Sequence, residues 1–307
     1  MDELRFDGRA VVVTGAGRGI GRAHALLLAA RGASVVVVDL GAELDGSGFS
    51  TGPAQDVVSE IRDLGGEAVA CPASVTAEAD AAAIVAAALD SFGRIDAVIN
   101  NAGIYDPGFF TELTTEQYRA MLDVHFFGAL HVTRAAWPYF VRAGYGRVVN
   151  TVSEAMLGGF PEMTSYAAAK GAVFGLTRTL STEGLGHGIR VNALAPRAYT
   201  RMSGSQSAML AEMLSITADQ MEEINATMPP DLCAPAAAYL AHESCALTGE
   251  VLQAGMGGVA RIAVVMAAGI SRPALTPEDI AQNLPAVLDI TGAQPVGTAP
   301  IDTAVSS

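Results

Sequence analysis

The stretch Ala10-Val11-Val12-Val13-Thr14, an apolar run that opens straight into Gly15-Ala16-Gly17-Arg18-Gly19-Ile20-Gly21, restricts this chain more than any other feature. A run without polar alternation reads as a strand buried on both faces. A helical pattern, Ala23 to Ala30, follows the glycines, and Gly32 ends it. Strand, glycine turn and helix N-terminus in this order make a phosphate site. Backbone N–H groups point at the anion, the helix dipole favours it, and glycines let a pyrophosphate approach the main chain. The spacing is TGxxxGxG, with Gly15, Gly19 and Gly21 in the glycine roles and Gly17, Arg18 and Ile20 between them. A second strand, Ser34 to Val38, ends in Asp39. A carboxylate there can accept hydrogen bonds from an adenosine ribose and repel a 2′-phosphate. NAD is therefore expected over NADP. Arg18, a cation in the turn, argues weakly the other way, while Leu40 and Gly41 add no positive charge.

A second constellation carries the chemistry. In Ser165-Tyr166-Ala167-Ala168-Ala169-Lys170 the alanines favour helix, and the i,i+4 spacing puts phenol and ammonium on one face. A free tyrosine has a pKa of about 10, and an opposite charge nearby can lower it by about 1–3 pH units. Tyr166 could then exchange a proton with an alcohol or carbonyl oxygen. Ser153 follows the apolar run Arg147 to Val152. It is expected at that strand's C-terminal end, able to donate a hydrogen bond to the same oxygen. YxxxK alone also occurs by chance in many helices; the company it keeps gives it weight.

Strands alternate with helical segments without a linker to about residue 255. The expected architecture is one α/β domain with a doubly wound parallel sheet, residues 1–255, followed by an extension, 256–307. Charged residues make up only 16% of the chain, against about 25% in typical proteins, which suggests burial between subunits. The net charge of −14 speaks against nucleic acid and anionic membranes as partners. Met1 to Arg5 have neither the basic nor the apolar region of a secretory signal, and no apolar run is long enough to span a bilayer. Cys71, Cys233 and Cys245 suit neither a disulfide framework nor a zinc site. A reducing cytoplasm and a metal-free mechanism are the expectations. The terminal Val305-Ser306-Ser307 is not a peroxisomal address.

Taken together, Thr14-Gly15-x3-Gly19-x-Gly21, Asn100-Asn101-Ala102-Gly103 after an apolar run, Ser153 and Tyr166-x3-Lys170 resemble the short-chain dehydrogenase/reductase family in order and spacing. The resemblance implies a Rossmann-type fold and a cofactor site that adds Asn101, Ala102, Gly103 and Pro196 to the glycine turn. It also implies a Lys170 that bonds the nicotinamide ribose, and two long helices, roughly 116–142 and 165–185, paired across a twofold axis. The insertion from Asp39 to Gly52, Arg134-Ala135-Ala136-Trp137, Ala241 to Cys245 and Leu275-Thr276-Pro277-Glu278 resemble a narrower group, the dehydrogenase parts of type 2 peroxisomal multifunctional enzymes. That group implies NAD-dependent oxidation of (3R)-hydroxyacyl-CoA thioesters, with steroid alcohols as alternative substrates, in a homodimer or homotetramer. Two positions depart from the broad pattern. His125 stands where many members have Asn; it could hold a water that links Lys170 to solvent, or be a buried histidine satisfied by a backbone carbonyl. Ser74-Val75 stands where many have Asp-Val beneath the adenine, and a hydroxyl can still accept from the exocyclic amine.

Substrate specificity in such a sheet is set outside the strands' carboxyl ends. Met156, Phe160, Tyr199 and Met202 are the expected substrate contacts, beside Ser153 and Tyr166. Met209, Leu210 and Met213 read as one face of a covering helix. Arg197 and Arg201 are candidates for coenzyme A phosphates or ordinary solvated arginines. Thr200 could bond the nicotinamide carboxamide. A carbonyl reductase or 17β-hydroxysteroid dehydrogenase remains an alternative, as does a silent nucleotide-binding scaffold, against which the presence of Ser153, Tyr166 and Lys170 counts.

Overall fold

Valine-rich runs become strands because β-branched side chains fit a pleated surface, and here both faces of that surface are covered. The computed structural model describes residues 3–205 and 207–297. Residues 305–307, read above as no peroxisomal address, and the end of the extension lie outside the described residues. Strand β1 (Ala10–Thr14) leads through the glycine turn into helix α1 (Gly19–Ala30), then β2 (Ser34–Val38), α2 (Gly52–Asp63), β3 (Glu67–Cys71) and α3 (Glu78–Phe92). Next come β4 (Ala97–Asn100), α4 (Thr115–Leu122), α5 (Gly128–Ala143), β5 (Gly146–Thr151), α6 (Thr164–Glu183) and β6 (Ile189–Arg197). Short helices α7 (Arg201–Gly204), α8 (Ser207–Leu214), α9 (Ala218–Ala226) and α10 (Ala234–Ala241) precede β7 (Val251–Gly255) and β8 (Gly258–Ile262).

The sheet order is β3-β2-β1-β4-β5-β6-β7-β8, parallel through β7, so the expected doubly wound architecture is the one the chain adopts. Odd and even positions of each strand enter different cores. Val11, Val13, Val35 and Val37 pack with Leu28, Ile61 and Leu240. Val12, Val36 and Val38 pack with Ile84, Val132 and Phe140 on the other face. Burying each such valine is worth about 1.5–3 kcal/mol as an upper bound. The chain moves outward from β1 to β3, then returns to β4 on β1's other side. This reversal opens a crevice at the strands' carboxyl ends, where ligands of such sheets bind. Strand β8 pairs antiparallel with β7, so the sheet continues past residue 255 into the extension. Among the described residues, no helix is long and apolar enough to cross a membrane.

The long helix expected over 116–142 is not continuous. A π-helical turn, Asp123–Phe127, separates α4 from α5 and carries His125. The wider turn lets the helix pass close to the loop after β3: a Cβ on Gly128 would lie 2.6 Å from a methyl of Val75. The second long helix, α6, runs close to its expected bounds.

Two histidines are buried where protonation is costly. Among the described residues, both ring nitrogens of His24 in α1 lack a partner, and burial lowers its pKa from 6.5 to about 4. Between those values the unfolded chain binds a proton that the folded chain does not. Stability is therefore full above pH 6.5 and falls as pH drops towards 4. The His24→Leu variant is expected to unfold in urea with a shallower loss of stability between pH 7 and pH 4.5, by up to about 3 kcal/mol. An unchanged pH slope would show that His24 is not the group responsible.

Candidate active site

Sharing of backbone donors fixes the floor of the crevice. The Thr14 hydroxyl accepts from Asn101 N and Ala102 N, both at 3.0 Å, while Asn101 Nδ2 donates to Thr14 O (3.0 Å) and Gly15 O (3.1 Å). Gly21 lies behind the turn, where a Cβ would come 2.1 Å from Gly15 O. Its role is to let α1 pack on the turn. Gly17 is buried, and its N–H donates to Asp39 Oδ2 (2.7 Å), while Gly41 N donates to Oδ1 (2.7 Å). The Asp39 carboxylate is thus held in place by main chain from both sides of the cleft.

A cleft of about 670 Å³ runs over this floor. Gly15, Arg18, Gly19, Ile20, Asp39, Ser74, Val75, Asn101, Ala102, Gly103, Pro196 and Thr200 line one part, and His125, Tyr166, Lys170 and Met202 the other. Residues suited to a dinucleotide are thereby brought together. Helix α1 fits such a ligand for a further reason: it opens with no side-chain cap and no acid in its first turn, whereas α4 and α9 are closed by Thr114 and Thr217 capping boxes. Its free N–H groups face the cleft. The Thr200 side chain is already engaged, accepting from Ser203 N at 3.4 Å as the cap of α7. The Ser74 and Thr76 hydroxyls, 2.9 Å apart, bond one another.

Helix α6 presents Tyr166 and Lys170 as the spacing predicts. The Tyr166 ring is held edge-on by Tyr105 at 5.6 Å and His125 at 5.3 Å between centroids. Ser153 caps the turn after β5, accepting from Ala155 N (3.2 Å), and its side chain hydrogen-bonds Tyr166. Lys170 Nζ donates to Thr151 O (2.7 Å) and lies 5.5 Å from the Tyr166 ring centroid. The expected lowering of Tyr166 by Lys170 is not seen in the protein alone. Burial pushes Tyr166 up to about 12, the Ser153 hydrogen bond opposing it, and burial brings Lys170 down to about 7. Both groups lose water, and the ammonium spends one donor on the Thr151 carbonyl.

His125 sits at the back of the cleft, and its ring occupies the space a side chain on Gly103 would need: a Cβ there would lie 2.4 Å from His125 Cε1. Its Nε2 is 2.8 Å from Ile104 O, the carbonyl contact foreseen for a structural histidine, but Nδ1 has no partner among the described residues. Burial, then the nearby Lys170, hold its pKa well below 6.5.

The expected substrate contacts divide. Phe160, Met202 and Met209 pack around Tyr105, Met163 and Tyr166, an apolar wall beside the phenol. Met156 packs with Val152, Val173 and Phe174 in a separate cluster, because the turn after Ser153 aims it back at the sheet. Tyr199 is exposed and lies over Gly204. Neither arginine is free: Arg197 forms a two-pronged pair with Glu154 (2.7 and 3.0 Å), and Arg201 pairs with Glu43 (3.4 Å). Glu43, Leu44 and Gly46 of the 39–52 insertion also line the cleft, held by Tyr105 N donating to Leu44 O (2.8 Å). The insertion was visible in the sequence, but nothing in its composition showed that it folds inward. Thr151, a further cleft residue, was indistinguishable from its strand neighbours.

Replacing Tyr166 with Phe keeps both edge-on ring contacts and removes the oxygen. Turnover is expected to fall at least about a hundredfold, with cofactor binding measured by fluorescence titration nearly intact. Retention of more than a tenth of the activity would refute the acid/base role.

Comparison with known proteins agrees with this geometry. Residues 9–211 match the family described as short chain dehydrogenase. A Mycobacterium tuberculosis protein named as a short-chain type dehydrogenase/reductase is 43% identical over 291 residues, 94% of this chain and 97% of its own. Mouse peroxisomal multifunctional enzyme type 2 is 38% identical over 295 residues, 94% of this chain but only 38% of that enzyme. A short chain dehydrogenase structure from Mycobacterium avium superposes with a TM-score of 0.76 at 33% identity, covering 96% of this chain and 99% of that one. With glycine turn, Ser153, Tyr166 and Lys170 gathered at one cleft and the match spanning most of its length, the chain belongs to the short-chain dehydrogenase/reductase family of oxidoreductases.

Proposed function

We propose that the protein oxidises (3R)-hydroxyacyl-CoA thioesters with NAD. The observation that carries the reading is the cleft itself: Asp39 at one end, Tyr166 and Lys170 at the other, and an apolar wall beside the phenol. NAD, when bound, supplies the hydride acceptor. Gly15, Gly19 and the free N–H groups of α1 would hold its pyrophosphate, and Asp39 its adenosine ribose. Asp39 keeps lone pairs for ribose hydroxyls beyond its two backbone bonds, and its charge opposes a 2′-phosphate.

The remaining chemistry is the chain's own. Ser153 donates to the substrate oxygen and orients it. Tyr166 takes the hydroxyl proton in oxidation as its phenolate, and returns a proton as the phenol in ketone reduction. The same residues would act on a steroid alcohol. Phe160, Met202 and Met209 offer a flexible apolar surface that suits an acyl chain or a fused ring better than a sugar. Likeness to the multifunctional enzyme supports the thioester. The CoA phosphates would have to compete with Glu154 and Glu43 for Arg197 and Arg201.

The extension is proposed to cover a neighbouring protomer in a homodimer or homotetramer. Val259, Met266, Leu288 and Ile290 are each at least 65% exposed on the single chain. Light scattering that shows a monomer would rule this out.

Initial rates with a (3R)-hydroxyacyl-CoA, its (3S) isomer and a 17β-hydroxysteroid, each with NAD and NADP, test the reading. The (3R) thioester with NAD is expected to exceed every other pair by at least about tenfold in kcat/KM. A steroid turned over best, or NADP preferred, would displace it.

A further inference from the structure

At the amino ends of the parallel strands, the opposite edge of the sheet from the cleft, lies a recess of about 360 Å³ lined by Arg5, Arg9, Arg94, Tyr145, His242 and Glu243. Arg9, Asp96 and Tyr145 directly precede β1, β4 and β5, while Arg94 and Glu243 stand just past the ends of α3 and α10. No residue of the cleft lines this recess.

The recess gathers more guanidinium charge than its carboxylates offset. Buried Asp96 is the shared anchor. Its Oδ1 accepts from Arg9 Nη1 (3.0 Å) and Arg94 Nη2 (2.6 Å), and its Oδ2 from Arg94 Nε (2.7 Å) and Ala10 N (2.9 Å). Its four lone-pair sites are thereby taken. Arg9 also pairs with Glu243 (2.5 Å) and, like Arg147, lies over the Tyr145 ring, the two at 4.3 and 4.4 Å from its centre. Arg147 is buried and gives its protons to the main-chain carbonyls of Gly146, Gly188, His242 and Glu243. Arg190, its register partner on β6, donates to Ala246 O (2.9 Å). Among the described residues neither Arg147 nor Arg190 has a carboxylate partner. Arg5 is balanced by Asp7 and Glu3. Four guanidiniums, on Arg9, Arg94, Arg147 and Arg190, thus face two carboxylates, Asp96 and Glu243, on a chain whose net charge is −14. Their repulsion is felt: burial lowers the Arg147 pKa, and the like charges of Arg190 and Arg9 push it the same way. The carboxyl ends of α3 and α10 offset part of this charge. Arg94 Nη1 nevertheless makes no hydrogen bond among the described residues, on a side chain 48% exposed.

We propose that this recess binds a phosphate-type oxyanion, free or as the monoester group of a small molecule, through Arg94 with Arg9 and Arg5 beside it. A phosphate carries between one and two negative charges at neutral pH and has oxygens enough for more than one guanidinium fork, which a carboxylate lacks. Guanidiniums already cover the Tyr145 ring, so it has no open face for a base, and recognition is of the anion itself. Glu243 holds Arg9 and competes with the ligand. The site does not depend on which alcohol the cleft oxidises.

Thermal unfolding in inorganic phosphate, compared with chloride at equal ionic strength, reads binding as a rise in melting temperature. Phosphate also suits the glycine turn, but that contribution is common to wild type and to variants of the recess, so their difference reports this site alone. Wild type is expected to gain about 2 °C more from near-saturating phosphate than Arg94→Gln does. Glu243→Gln removes the competing charge, leaves the Asp96 anchor whole, and should need at least about threefold less phosphate for the same shift. That variant decides the matter even where Arg94→Gln fails to fold. Glycerol phosphate run beside inorganic phosphate separates the sources: a shift as large assigns a phosphate ester, and no shift assigns free phosphate. Acetate as effective as phosphate, an Arg94→Gln variant that responds as wild type does, or a Glu243→Gln variant with an unchanged phosphate requirement would overturn the proposal.

Discussion

A strip of hydrogen-bonded side chains through the middle of the sheet holds the two halves of the site in register. Thr133 of α5 receives Asn100 of β4, Asn100 donates to Asn150 of β5, and Asn150 donates to Thr177 of α6 (2.9 Å). Asn100, Asn150, Thr133 and Thr177 are all buried, so each bond is made where water cannot compete. A valine at any of these positions would satisfy the core equally well but would leave α6 free to slide along the sheet. With the strip in place, α6 has one position, and Tyr166 and Lys170, seven or more residues before Thr177, reach the cleft from it.

The cleft's electrostatics follow from that placement. Burial drives Tyr166 and Lys170 in opposite directions, towards the uncharged forms of both. Any ligand that brings charge or hydrogen bonds into this space changes both groups together, as coupled sites do. On the other half of the cleft the situation is reversed. Asp39 and the uncapped end of α1 are polarised in advance, the carboxylate held by Gly17 and Gly41 and the helix donors left open. One half of the site is thus hydrogen-bonded in advance, while the other holds two groups that burial pushes towards their uncharged forms.

Much of this was legible in the sequence, for physical reasons. Apolar runs without alternation could only be strands covered on both faces, and the sheet has them at β1 and β2 with the bounds expected. The glycine turn, Asp39 and the Tyr166–Lys170 spacing are local, and local geometry survives tertiary packing. Three things were not legible. The π turn at His125 ends at Gly128, which lies against Val75 of a distant loop, a contact that no local pattern contains. The direction of Met156 depends on the turn that Ser153 caps. The balance of forces on Tyr166 depends on how much water it loses, which the spacing of two residues cannot reveal.

Asn150→Ala tests the dependence on the buried strip most directly, because it removes two of its three bonds and leaves Asn100 and Thr177 each short of a partner. Thermal unfolding and turnover measured side by side should show a melting temperature lower by roughly 5 °C or more and a fall in kcat of about tenfold or more. Cofactor Kd should change little, since the glycine turn and Asp39 hang on other strands. Full turnover in a destabilised protein, or a loss of cofactor affinity as large as the loss of turnover, would contradict the account.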